Sequence, residues 1–154
     1  MSSSTLPGAS PDDNFIRQIL ENTRTIAVVG ISDEVGRPSH RVSAYLKRKG
    51  YIIIPVNPTI PWVLGEKSYP DILHIPDRVD VVLLFRRSEM VMPHVKEAIQ
   101  IGAKVVWMQE GIVNETAAEL ARSAGLSVVM DTCMLVKHRE LANRGSLHPD
   151  QDSS

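Results

Sequence analysis

Short, strongly apolar runs alternate along this chain with longer stretches whose apolar positions recur at helical spacing. The runs Thr25 to Val29, Tyr51 to Ile54 and Val79 to Leu84 predict strands, and TIAVVG lacks the polar alternation of a half-solvated strand. Such a strand is buried on both faces, as in a parallel sheet. AKVVWM and LSVVM predict two more. Pro55 has no amide to donate, which assigns it to a strand end rather than mid-ladder. Between the runs, Ser39 to Lys49 predicts a helix with Val42, Tyr45 and Leu46 inward and Gly50 as its stop. Ser88 to Ile101 predicts another, with Val91, Val95, Ala98 and Ile99 inward and Pro93 either in the first turn or kinking it. Asn114 caps a helix from Glu115 to Ala124, closed by Gly125. A short helix capped by Asp12 or Asp13 would bury Phe15, Ile16, Ile19 and Leu20, and Met134 to Leu141 predicts a final one. The proline-rich connection from Asn57 to Pro76 predicts only a short strand near Val63 and Leu64 and one helical turn near Asp71 to His74.

Strands alternating with helices predict a doubly wound α/β fold with Rossmann-like strand order, a mainly parallel sheet of about five to six strands with helices on both faces. Residues 1–12 read as a flexible lead, 13–142 as the domain and 143–154 as a flexible tail. The chain's 154 residues suit one domain, and 43% hydrophobic content is enough for a core. A net charge of -1 gives no support to a nucleic-acid role. No apolar run approaches bilayer length, and Met1 to Ser10 has neither the basic start nor the apolar middle of a secretory signal, so a cytoplasmic protein without a membrane partner is expected. Cys133 is the only cysteine, which excludes an internal disulfide and a cysteine-rich zinc site. None of the five histidines forms an H-x-x-x-H or H-E-x-x-H pair, so no metal is expected, and no G-x-S-x-G elbow is present.

Ligands of open parallel sheets bind outside the carboxyl ends of the strands. Three turns fall there: Gly30-Ile31-Ser32, Val56-Asn57-Pro58 and Phe85-Arg86-Arg87. The first is followed by Arg37 and Arg41 at a helix start, where free amides and positive charge suit a phosphate. It is neither G-x-G-x-x-G nor a P-loop, and it reads equally as a turn with Ser39 as helix cap. Asn57 stands where a dinucleotide fold usually carries an acid for the ribose diol, which speaks against NAD and tolerates a phosphorylated ribose. Asn57-Pro58 also reads as a plain turn starter. An arginine pair at the sheet mouth suits a phosphate clamp, with Arg86 the better candidate because neighbours in a continuing strand face opposite ways. Gln109 and Gly111 end the fifth run, where Gln109 could bond a ligand amide or hydroxyl. Trp107 reads as core, and Cys133 either as a small buried hydrophobe or as a thiol able to exchange with a ligand thiol.

Taken together, IAVVGIS, GRPSHRVSAYL, GYIIIPVNP, LGEKSYP, VDVVLLFRRSE, AIQIGAKVVWMQEGI and AGLSVVMDTCM resemble the small stand-alone CoA-binding domain proteins, related to the CoA-binding domain of the succinyl-CoA synthetase alpha subunit. The likeness runs from about Ile26 to Met134. It implies a Rossmann-like domain that binds coenzyme A along the loop edge. By motif, Gly30, Ile31 and Ser32 would line the first loop, Arg37 and Arg41 would face phosphates, and Asn57 and Pro58 would flank the adenosine portion. Phe85 and Arg86 would form the middle of the cleft, with Gln109 and Gly111 near the pantetheine arm. The synthetase subunit has a further domain with a phosphorylated histidine, and this chain is expected to be the binding module without that half. The expected function is therefore binding of CoA or an acyl-CoA, non-catalytic or regulatory, with no catalytic residue assigned. The alternatives are an NAD(P)-dependent oxidoreductase on the same fold, or a synthetase-like subunit needing a separate partner chain.

Overall fold

The computed structural model describes residues 11–145 and residue 147. Five parallel strands form the sheet: β1 (Thr25–Val29), β2 (Ile52–Val56), β5 (Val81–Leu84), β6 (Val105–Met108) and β7 (Ser127–Val129), in the order β2-β1-β5-β6-β7. A two-residue antiparallel hairpin, β3 (Trp62–Val63) with β4 (Glu66–Lys67), lies in the proline-rich connection. Just beyond it Tyr69 makes a one-residue parallel bridge to Val56, with its amide donating to Pro55 O (3.0 Å) and its carbonyl accepting from Asn57 N (2.9 Å). Tyr69 is thus a vestigial third strand outside β2. Counting it, the order becomes 3-2-1-4-5-6, that of a Rossmann sheet.

Alternation along each strand divides the core into two layers. Ile26 and Val28 of β1, Val81 and Leu83 of β5 and Trp107 of β6 face one side, against α1 (Pro11–Asn22), α2 (Pro38–Arg48) and α5 (Met134–Asn143). Ala27, Val29, Val82, Leu84 and Met108 face the other, against α3 (Met92–Gln100) and α4 (Glu115–Ser123). Strands buried on both faces account for the unbroken apolar runs. The helices carry helical-period apolar stripes that match: Val42 and Leu46 on α2, Val95 and Ala98 on α3, Ala117 and Ala121 on α4. Asn114 Oδ1 accepts from Ala117 N (3.0 Å) and caps α4.

The structure corrects several expectations. Helix α1 starts at Pro11, so Asp12 and Asp13 lie in its first turn rather than capping it. Asp13 instead reaches across to α5, accepting from Lys137 Nζ (2.8 Å) and Arg144 (3.1 Å). Phe15 is 42% exposed, not inward; Ile16, Ile19 and Leu20 form the buried stripe. The span from Ser88 to Ile101 is not one helix. A 3₁₀ turn, Ser88–Met90, precedes α3, and Pro93 sits in the first turn of α3, where its missing amide costs no hydrogen bond. Pro55 lies inside β2 rather than at its end. Ile52 N faces β1, so the amide that Pro55 lacks would point to the outer edge. Helix α5 runs to Asn143, and Leu147, read as tail, is buried. The remaining lead and tail residues lie outside the described ones. No helix among the described residues is long and apolar enough to cross a membrane.

Candidate functional site

Strand order reverses between β1 and β5, because the chain leaves β1 toward β2 and returns on the other side at β5. That switch point is where this architecture opens a crevice. Gly30 stands on it with φ +84°, its amide donating to Val56 O (3.1 Å). A Cβ there would lie 2.6 Å from Phe85 O and 3.1 Å from Arg86 Cδ. Glycine is therefore what lets the ends of β1 and β5 close up, and it lets the Arg86 stem cross the end of β1.

Beside this point a cleft of about 510 Å³ opens between the starts of α2 and α5. Arg41, Phe85, Arg86, Gln109 and Gly111 line it, so five of the sequence-predicted residues meet in one place. Pro38, Val42, Ile112 and Cys133 add apolar wall, and Arg87 and Glu110 stand at it too. Arg87 pairs with Glu89 at 3.6 Å, and Arg37 with Glu34 at 3.0 Å. Among the described residues Arg41 and Arg86 form no ion pair. The positive field extends to α3, where burial and then the charge of Arg86 hold the His94 imidazole below its ordinary pKa.

The two helix starts that border this cleft, those of α2 and α5, carry no side-chain cap from their own N-cap residues, unlike α4. Arg37 is the N-cap of α2 and makes no capping bond, while Pro38 fills the first turn. Ser39 Oγ accepts from Ser32 N (2.9 Å), so this hydroxyl braces the first loop instead of capping the helix. Cys133 likewise begins α5 without a side-chain cap, and the Met134 amide donates to Gln109 Oε1 (2.9 Å). Gln109 is 5% exposed and fixes the start of α5 from the end of β6. Its amide nitrogen is the part left to meet a ligand.

The other predicted residues stand apart from the central cleft. Ile31 buries its side chain in the core and offers only backbone. The Asn57 side chain is a brace: Nδ2 donates to Ile31 O (2.9 Å) and Oδ1 accepts from Thr59 N and Thr59 Oγ1 (each 2.9 Å). Asn57 and Pro58 line a separate hollow of about 240 Å³ walled by Thr59, Ile60, Pro61, Ser68 and Pro70. The loop edge thus carries two hollows, with Gly30 to Ser32 running from the central cleft to the Asn57 brace. Sequence reasoning missed Pro38, Val42 and Ile112 as walls; each sits within a few residues of a predicted loop, which was the available signal. Trp107 is fully buried, its Nε1 donating to Thr132 O (2.8 Å).

The donor set fits a phosphorylated, partly apolar ligand: two guanidiniums without ion pairs among the described residues, the uncapped start of α2, a glycine that clears the backbone, and a phenylalanine and isoleucine surface. Among the described residues no group of three or more His, Cys, Asp or Glu is arranged to hold a metal ion. The family model described as CoA binding domain matches residues 24–139. The uncharacterized protein YneT of Bacillus subtilis is 42% identical over 129 residues, covering 84% of this chain and 96% of that protein. A solved structure, a hypothetical protein from Pyrococcus horikoshii OT3, superimposes with TM-score 0.83 at 40% identity, covering 92% of this chain and 99% of that one. The ADP-forming acetate–CoA ligase II of Archaeoglobus fulgidus is 37% identical over 83 residues, 53% of this chain but only 12% of the ligase. On a family match spanning most of its length, this chain belongs to the CoA-binding domain family.

Proposed function

We propose that the chain binds coenzyme A, free or as an acyl thioester, along the carboxyl edge of the sheet. The observation that carries this reading is Arg86, whose stem crosses the strand end at the switch point and whose charge has no carboxylate partner among the described residues. A diphosphate there would take charge-assisted hydrogen bonds from Arg86 and Arg41 and from the amides that open α2. Gly30, Ile31 and Ser32 would offer backbone to it. Arg37 would reach it only by exchanging its Glu34 partner. The Asn57 and Pro58 hollow would flank the adenosine portion, Phe85 would pack mid-cleft, and Gln109 and Gly111 would run beside the pantetheine arm. The cleft is lined mainly by arginines, an amide and apolar surface, with one carboxylate, Glu110, and one thiol, Cys133; the arginine and apolar majority supports a binding or regulatory module.

A second reading has specific support, because the Archaeoglobus ligase carries its matching stretch as a small part of a longer chain. Here the module would act with a separate synthetase-like partner. Thermal shift with CoA, acetyl-CoA, dephospho-CoA, NAD and NADP tests the ligand, since selective binding to the native state raises apparent stability. CoA is expected to stabilise most and dephospho-CoA less. Stabilisation by NAD alone would point to an oxidoreductase and overturn the proposal.

A further inference from the structure

The central cleft has a neighbour at Cys133. A second hollow of about 320 Å³, lined by Glu110, Asp131, Thr132, Cys133, Val136 and Lys137, shares Glu110 and Cys133 with it. The two are therefore neighbours that meet at Glu110 and Cys133, at the end of the Gln109 to Gly111 stretch. If the pantetheine arm runs beside that stretch, its sulfur end points here. This inference rests on the proposed CoA reading and deepens it.

The second hollow's walls carry a definite charge. Asp131 is held in the left-handed region (φ +54°), its amide donating to Ile112 O (3.1 Å) and its Oδ1 accepting from Gly111 N (2.7 Å). That double clamp joins the loops after β6 and β7 and keeps the Asp131 carboxylate fixed on the hollow. Glu110 stands on the shared wall, and among the described residues neither acid forms an ion pair. Among the described residues of the wall the one cation is Lys137, 2.8 Å from Asp13 and 3.7 Å from Glu140, so its charge is already countered within the protein. The start of α5 opposes the acids with a partial positive charge, but its Met134 amide already serves Gln109. Among the described residues of the hollow's own wall, two carboxylates stand against a fraction of one positive charge; Arg86 and Arg87 lie on the central cleft that Glu110 also lines, so the hollow is negative chiefly at its Asp131 end.

We infer that this hollow is the acyl end of the site and that it selects short acyl groups without a terminal carboxylate, neutral or amino-bearing ones being admitted. The acids discriminate through charge, with no chemistry on the thioester. Butyryl-CoA and succinyl-CoA make the test, because their four-carbon chains differ at the end in a methyl against a carboxylate. Calorimetric titration of the full chain is expected to give about tenfold weaker binding for succinyl-CoA, the size of two like charges several Å away in a half-solvated hollow. The ratio should fall toward one in Glu110→Gln/Asp131→Asn, where the asparagine can still accept from Gly111 N and adopt positive φ. It should also shrink in the wild type as salt rises from about 20 mM to about 0.5 M. Equal affinities in the wild type, or a ratio unchanged by both the neutral variant and salt, would overturn the inference while leaving CoA binding intact. Absence of any CoA binding would overturn the underlying reading, and this one with it.

Discussion

Replacing Gly30 with alanine tests the geometry on which the site is built. Two costs are separable. The backbone at φ +84° is in the region L-residues avoid, which costs roughly 1–2 kcal/mol. The new Cβ would stand 2.6 Å from Phe85 O, a main-chain atom that cannot swing aside, so the ends of β1 and β5 must part by several tenths of an ångström. An overpacked core contact of this kind costs about 1–3 kcal/mol. Gly30→Ala should therefore lose about 2–5 kcal/mol, or roughly 5–15 °C in Tm for a domain of this size. Gly36→Ala is the matched control: φ is +102° but nothing lies within 4 Å of its added Cβ, so only the backbone cost applies. Urea unfolding of both variants, with unchanged slope as the check on two-state behaviour, separates the terms. If Gly30→Ala costs no more than Gly36→Ala, the close approach of the two strand ends is wrong, and so is the path of Arg86 across it.

Asp13→Asn is expected to cost about 1–2 kcal/mol at neutral pH, between the values of an exposed and a buried pair. The hydrogen bond from Lys137 is the main cause holding the Asp13 carboxyl below its ordinary pKa; it outweighs burial and is aided by Arg144. This stabilisation is complete above the unfolded aspartate pKa and is lost as pH falls through the lower folded value, so the gap between wild type and variant should close on acidification from about pH 4 to pH 2. Lys137 is shifted up, chiefly by its hydrogen bond to Asp13, so its contribution holds below the ordinary lysine pKa and is lost only as pH rises through the raised value. A gap constant from neutral to acid pH in urea melts would contradict the pairing. Cys133 is partly exposed on the central cleft, so CoA should slow its alkylation by a maleimide, read by mass spectrometry; equal rates with and without saturating CoA would remove it from the ligand's path.

Much of the fold was legible because two-sided burial leaves an unmistakable mark: β1 and β6 are apolar at successive positions, and the helices between carry a stripe and a glycine stop. The third strand was not legible, since a single bridge at Tyr69 needs no pattern of its own. The extent of α1 was misread because Asp13 resembles a cap locally, while its partners, Lys137 and Arg144, are more than a hundred residues away. The cleft showed the same split. Arg41, Phe85, Arg86, Gln109 and Gly111 could be gathered from the rule that strand ends share an edge. The brace made by Asn57, the bond from the Met134 amide to Gln109 and the second hollow beside Cys133 depend on side-chain direction, which spacing along the chain does not encode.

The central claim is that the Arg86 guanidinium at the switch point, without an ion pair among the described residues, holds the phosphates of coenzyme A. Calorimetric titration of CoA into the wild type, Arg86→Ala and Arg87→Ala addresses it directly. Loss of charge-assisted bonds predicts binding about 10- to 100-fold weaker in Arg86→Ala, and a change below about threefold in Arg87→Ala, whose charge is already paired with Glu89. An Arg86→Ala protein that is folded and binds CoA as the wild type does would contradict the account.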